Sequence, residues 1–254
     1  MLNSLLAAAI LGSVMTAGAA QSETVQVYGP GGPAPAMQEA AATFQSEHGV
    51  AVKVVSGPTP SWLSSAKNDA DMIYSGSETM MTDLVNALGG RVASADVVSL
   101  YMRPSTILVR PGNPQGIRGI RDLLVPGRKI LIVNGSGQNG LWEDVAGRLG
   151  NIETVRAFRA NIKTFAQTSA DAKQAWINDP SLDAWLIWDI WQVANPQLAD
   201  AVAVEPEYRI FRDMGAVLST SGKQKQSALA FFRFLQSPRG RRIFEKWGWM
   251  PGAN

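Results

Sequence analysis

The chain has no cysteine and a single histidine, His48. Without cysteine there can be neither a disulfide nor a thiolate metal site, so stability has to come from packing. His48 sits in Ser46-Glu47-His48-Gly49-Val50, between a helical and an extended pattern, where it decorates a turn. A histidine-based metal site or a Ser-His-Asp triad would rest on this one residue, and no G-x-S-x-G accompanies it. The sequence therefore assigns no catalytic residue, no metal ligand and no cofactor. Charge is also sparse, with 17% charged residues and a net charge of +2. The basic residues are dispersed except at Arg239-Gly240-Arg241-Arg242, on an expected helix near the C-terminus of the chain. That distribution predicts no nucleic-acid partner. Beyond the N-terminal segment no run approaches the roughly 18 apolar residues of a membrane span.

The first 20 residues carry no charge and run from Leu5-Leu6-Ala7-Ala8-Ala9-Ile10-Leu11 into small residues. Ala17-Gly18-Ala19 has the form of an export-signal cleavage site, which predicts a signal peptide over residues 1–19. Met1 to Ser4 lacks the usual Lys or Arg. The competing reading, a buried N-terminal helix, finds no amphipathic face here. About 235 residues would remain, enough for one large or two ordinary domains. With 46% apolar and 17% charged residues, the chain reads as a soluble globular protein.

What is present is a recurring order of strand, small-residue turn and helix. Thr24 to Tyr28 alternates as a strand, ends at Gly29-Pro30-Gly31-Gly32-Pro33, and gives way to helical spacing over Met37 to Glu47. A second strand at Val50–Val55 leads through Gly57-Pro58-Thr59-Pro60 to a helix at 61–68. A third, Asp71 to Tyr74, leads through Ser75-Gly76-Ser77 to another helix. Three such units predict an α/β fold with helices wound on a mainly parallel sheet, with ligands expected beyond the carboxyl ends of the strands. Val97 to Val109 reads as a strand crossing to a second α/β unit. That unit has a helix near 120–124, a strand at 129–133, a helix at 141–149, a strand at 162–165, a helix at 171–177 and a strand at 184–187. Pro206 to Val217 would return to the first lobe, and residues 227–247 would form two helices split at Ser237-Pro238. The predicted domains are lobe 1 over 20–102, lobe 2 over 103–206, and lobe 1 again over 207–254. Two crossings between lobes make a hinge architecture.

The most informative stretch is Lys129 to Asp144, where the apolar run Ile130-Leu131-Ile132-Val133 stops at Gly135-Ser136-Gly137-Gln138-Asn139-Gly140. A strand entering a helix through glycines leaves unpaired N–H groups that favour an anion. Formally this is G-x-G-x-x-G, but the acidic residue that a dinucleotide fold needs about 20 residues on is missing from Val155-Arg156-Ala157-Phe158-Arg159. A purely structural turn is the other competing reading; a small-anion or carboxylate site is the leading one. Arg103, on the crossing strand, suits either a direct cationic contact or a salt bridge near the hinge. In Asp183 to Trp191, alternation places Trp185 and Ile187 on one face and Leu186 and Trp188 on the other. Trp188 then lies at the strand's end, where its indole N–H can reach a ligand.

Tyr28-Gly29-Pro30-Gly31-Gly32-Pro33, Ala66 to Asp71, Trp142-Glu143-Asp144, Asp183-Ala184-Trp185-Leu186-Ile187-Trp188 and the closing FLQS and IFEKWGW segments resemble the accessory colonisation factor AcfC family. That family is similar to type II periplasmic solute-binding proteins and, distantly, to sulfate- and molybdate-binding proteins. The resemblance covers nearly all of the chain after the signal segment. It implies a two-lobed periplasmic binding protein type II fold, each lobe a mainly parallel sheet flanked by helices and joined to the other by two crossing strands. It also implies a small anionic solute in the interlobe cleft, an ABC permease as partner, and a periplasmic or surface-exposed location, with a homodimer left open. The ligand contacts it implies are Gly31 and Gly32, Thr59 with Trp62, Ser75 and Ser77, Ser136, Gly137 and Asn139, and Trp188, to which the residue reading adds Arg103. Asp189, next to Trp188, is a departure: it must point away from an anion or bind an amine. An adhesin that binds a macromolecule on an outer face is the alternative function.

Overall fold

Val25 and Val27 are fully buried on either side of the half-exposed Gln26, so the alternation read in the sequence becomes strand β1 (Val25–Gly29). The computed structural model describes residues 24–251, and the signal peptide expected over 1–19 lies outside the described residues. Helix α1 (Ala34–His48) starts directly after Pro33, earlier than the periodicity indicated, because Pro35 has its φ preset for a first helical turn. It ends at Gly49 in the left-handed conformation, φ 68°. Strand β2 (Val52–Ser56), α2 (Leu63–Asp69), β3 (Met72–Tyr74) and α3 (Glu78–Ala87) complete the first winding. β1 pairs in parallel with both β2 and β3.

Strand β4 (Val98–Val109) then serves two sheets. Its first half pairs antiparallel with β9 (Phe211–Leu218), from Val98 opposite Ala216 to Pro104 opposite Phe211. Its second half, from Ser105, pairs antiparallel with β7 (Ala184–Trp188) and β8 (Asp200–Ala203). Between β4 and β7 the chain forms α4 (Ile120–Leu123), β5 (Ile130–Val133), α5 (Leu141–Ala146), α6 (Ile152–Asn161), β6 (Ile162–Ala166) and α7 (Ser169–Asn178). A short α8 (Ile190–Ala194) follows β7. β5 pairs in parallel with β6 and β7. After β9 come α9 (Gln226–Gln236), α10 (Pro238–Lys246) and β10 (Met250–Pro251), which pairs back onto β4.

The strand order is β2-β1-β3-β9-β4-β7-β5-β6, with β8 and β10 both on β4. Each sheet is parallel at its outer strands and antiparallel where it meets the crossing, a mixture that single-strand periodicity does not reveal. Two local expectations are corrected and two strands are added. The helix expected over 141–149 stops at Ala146, where Gly147 caps it by donating to Glu143 O at 2.7 Å. The return strand starts at Phe211 rather than Pro206. Strands β8 and β10, four and two residues long, go beyond the sequence expectations because they are too short to show a period of two.

One hydrophobic core runs under both sheets through β1, β4, β5, β7 and the two C-terminal helices. A smaller one, with Trp62, Ile73 and Leu84, sits under α2 and α3. The C-terminal helices contribute Phe231, Phe234 and Phe244, and Phe231 lies edge-on to Phe44 of α1 at 5.2 Å.

Candidate functional site

The cleft forms where the turns after β1, β2 and β3 face the turns after β5 and β6 across the crossing strand. It encloses about 120 Å³, well below the roughly 300–1,000 Å³ of a drug-sized pocket, and so suits a small solute. Pro30, Gly31, Gly32 and Pro33 line one wall with Gly57, Pro58, Gly76 and Met80. Gly137, Gln138, Thr168, Ser169 and Ala170 line the other, and Arg103, Trp188 and Trp191 close the floor. Among the described residues no carboxylate lines this cleft.

Arg103 is 3% exposed. One of its terminal nitrogens donates to the Gly76 carbonyl, while its Nε–H has no partner. The guanidinium carbon stands 4.7 Å from the Trp188 ring centre and 5.1 Å from that of Trp249. Burial pulls the guanidinium pKa down to about 9, with Asp189 acting in the opposite direction, so the group remains charged at neutral pH. Trp188 Nε1 and Gln138 Oε1 are likewise buried without partners. Gln138 Nε2 and Ser169 Oγ are 2.6 Å apart, tying the mid-chain turn to the start of α7. Three buried polar side chains with orphan atoms at one cleft need an explanation, and a bound solute supplies one.

Two helix N-termini face the same space. α1 begins at Ala34, next to the lining Pro33. α7 begins at Ser169 behind a reciprocal cap in which Thr168 Oγ1 accepts from Asp171 N and the Asp171 carboxylate accepts from Thr168 N. The first N–H groups of a helix have no intrahelical partner and carry positive partial charge, so helices of 15 and 10 residues add anion-favouring dipoles.

The residues expected from sequence divide by position. Gly31, Gly32, Arg103, Gly137 and Trp188 line the cleft. Thr59 and Asn139 instead border a neighbouring depression with Asp83 and Leu84, sharing only Met80 with the cleft. Trp62 is buried in the smaller core, where its indole donates to Gly57 O at 3.1 Å and its ring lies 6.0 Å from Tyr28. Ser75 faces inward and its Oγ accepts from Gly215 N at 3.3 Å. Ser77 caps α3, its Oγ accepting from Met80 N at 3.2 Å. The side chain of Ser136 lies outside the described residues. Asp189 does not line the cleft; its Oδ1 accepts from Ile190 N at 2.7 Å and caps α8.

The glycine-rich turn is both structural and part of the wall. A Cβ on Gly135 would fall 2.1 Å from the Gln167 carbonyl oxygen, and Gly140 has φ 73°. The turn contributes Gly137 and Gln138 to the cleft, whereas the helix end beside them belongs to α7 and not to α5. Sequence reading missed Gln138 and the segment from Thr168 to Ala170. The second was readable, since Thr168-Ser169-Ala170-Asp171 has the spacing of a capping box.

The family model described as bacterial extracellular solute-binding protein matches residues 25–250. Among solved structures, PEB3 bound to L-phospholactate is 32% identical, with a TM-score of 0.84 over 89% of this chain and 99% of that one. Peb3 from Campylobacter jejuni is 32% identical over the same shares, with a TM-score of 0.83. The sulfate-binding protein SubI from Mycobacterium tuberculosis H37Rv is 19% identical over 90% of this chain and 87% of that one, with a TM-score of 0.76. That last likeness bears on the fold alone, a two-lobed type II periplasmic binding protein fold. No curated protein sequence matches the chain.

Proposed function

The chain belongs to the bacterial extracellular solute-binding proteins, in their AcfC-like group, and we propose that its cleft captures a small anion in the periplasm for delivery to an ABC permease. It is a binding protein and not an enzyme. The observation that carries the anion reading is Arg103, a buried guanidinium at the cleft floor with an orphan Nε–H and, among the described residues, no carboxylate in ion-pair contact, Asp189 and Asp213 acting on it only at longer range. A buried cation left unpaired is costly, and an anion entering the cleft supplies the missing charge and acceptor together.

The walls narrow the class. Pro30, Pro33, Pro58, Met80 and Trp191 add apolar surface to the cleft that holds the donors. A solute with an anionic head and a short carbon body covers both surfaces, which favours a phosphorylated or carboxylic acid over a bare oxyanion. The L-phospholactate bound to PEB3 is a molecule of that kind, which supports the reading.

A thermal-shift panel of sulfate, molybdate, phosphate, L-phospholactate, dicarboxylates and amino acids tests it, using protein refolded to remove any carried solute. Ligand at about 100 times its dissociation constant stabilises by ~2.7 kcal/mol, or roughly 5 to 11 °C at this length. A selective shift with acids establishes the class. No shift with any anion overturns the proposal and favours an adhesin whose outer face binds a macromolecule.

A further inference from the structure

We infer that Arg212 is the clasp that holds the cleft shut, a positioning residue for the mid-chain turn rather than a ligand contact. Arg212 lies near the start of β9, directly opposite Arg103 in the register with β4, and so belongs to the sheet that carries the turns after β1 and β3. Its side chain reaches the segment that follows β5 in the other sheet. One terminal nitrogen donates to Asn139 O at 3.0 Å and lies 3.5 Å from Gly137 O, and the other pairs with Asp144 at 2.6 Å in the first turn of α5. One planar cation therefore joins three points of the wall that carries Gly137 and Gln138.

The same turn meets the opposite wall at Gly137. A Cβ there would stand 3.3 Å from the Gly76 carbonyl and from Ser77 Oγ, so the turn approaches the opposite wall closely at this point. Moving the sheets apart would break the Arg212 contacts to Asn139, Gly137 and Asp144 and its 5.8 Å approach to the Trp188 ring, and return the polar partners to water, while leaving the hydrogen bonding within each sheet intact. The contacts bridge the two sheets, so they favour the arrangement that makes them over any in which the sheets stand apart. The geometry also explains why arginine stands here: its rigid fork serves two carbonyls and a carboxylate at once, which a lysine ammonium on a flexible stem cannot reproduce. The side chain of Arg212 is 18% exposed and that of Asp144 is 49% exposed, so the ion pair alone would be weak. The carbonyl contacts carry the clasp as much as the carboxylate does.

The ligand half of this inference rests on the cleft being a solute site; the clasp itself can be read without ligand. Hydrogen exchange of the ligand-free full chain should show amides in 136–144 exchanging about tenfold faster in Arg212→Met than in wild type, with the amides of β4 and β9 unchanged. Arg212→Lys should recover only part of the protection. Asp144→Asn, altering a half-exposed partner, should show a smaller increase and serves if Arg212→Met fails to fold. In the second arm, dissociation of L-phospholactate and of sulfate is followed by stopped flow. The Arg212→Met dissociation constant should rise about ten- to hundredfold, nearly all of it in a faster off-rate. Unchanged exchange in both Arg212→Met and Asp144→Asn overturns the clasp, as does an unchanged off-rate. If wild type binds neither probe nor any acid of the panel, the solute reading fails while exchange still decides the clasp.

Discussion

Arg103 and Trp188 form a stacked pair at the point where the two sheets meet, the guanidinium carbon 4.7 Å from the indole ring centre. Arg103 comes from the half of β4 that pairs with β9; Trp188 ends β7 and pairs opposite Ser105 in the other half. The indole face shields the cation without neutralising it, because a cation over an aromatic ring gains from the ring quadrupole and keeps its full charge. The orphan N–H groups of both residues belong to side chains of the same cleft, so the pair offers donors and positive potential with no carboxylate among the described lining residues.

Arg103→Met should abolish the anion-induced thermal shift while leaving the ligand-free melting temperature equal or higher. Replacing a buried charge with an apolar chain of similar volume is often neutral or stabilising. Melting curves with and without each anion decide this, and a retained shift would remove Arg103 from the site.

Trp188→Phe keeps an aromatic face over Arg103 and deletes the indole N–H. Losing one hydrogen bond to a charged ligand is worth ~1.5 to 3 kcal/mol, so affinity should fall roughly ten- to hundredfold. Isothermal titration measures it, and wild-type affinity in the variant would mean that the N–H does not reach the solute.

Ser77→Ala separates a cap from a ligand contact. The Ser77 hydroxyl accepts from Met80 N, so its loss should cost about 1 kcal/mol of stability, roughly 2 to 4 °C, with little direct change in affinity. Unchanged stability together with a large loss of affinity would assign Ser77 to the ligand.

Asp189 should give the protein a pH signature. Burial raises its carboxyl to about 6, against the Ile190 N–H and the Arg103 charge, which both lower it. A carboxyl whose folded value lies above its unfolded one stabilises fully below about pH 4, and that contribution is lost as pH rises through 6. Asp189→Asn keeps the cap and cannot ionise, so its stability relative to wild type should rise by roughly 3 kcal/mol between pH 4 and pH 7. Denaturant midpoints across that range test the sign, and parallel curves for the two proteins would exclude Asp189 as the titrating group.

The sequence by itself determined the α/β class, the repeating strand, turn and helix units, and the crossing strand that carries Arg103. Each is written in local spacing: period two in Val25-Gln26-Val27, helical spacing through Met37, Ala40, Ala41 and Phe44, and glycine where Gly49 and Gly140 take positive φ. It also placed the turns of Gly31, Gly76 and Gly137 at strand ends, where an α/β sheet presents its ligands. Which atoms of those turns face the cleft was decided only by tertiary structure. Ser75 turns inward because β9, some 140 residues later, lies antiparallel beside β3 and supplies Gly215 N as its partner. The Trp62 indole meets Gly57 O and fills the smaller core, and Gln138 meets the start of α7 only because β5 and β6 are neighbours in the sheet. The same long-range register sets Arg212 beside Arg103 and within reach of Asp144. Local propensity chooses elements and turns, but the direction of a polar side chain follows from which distant backbone arrives next to it.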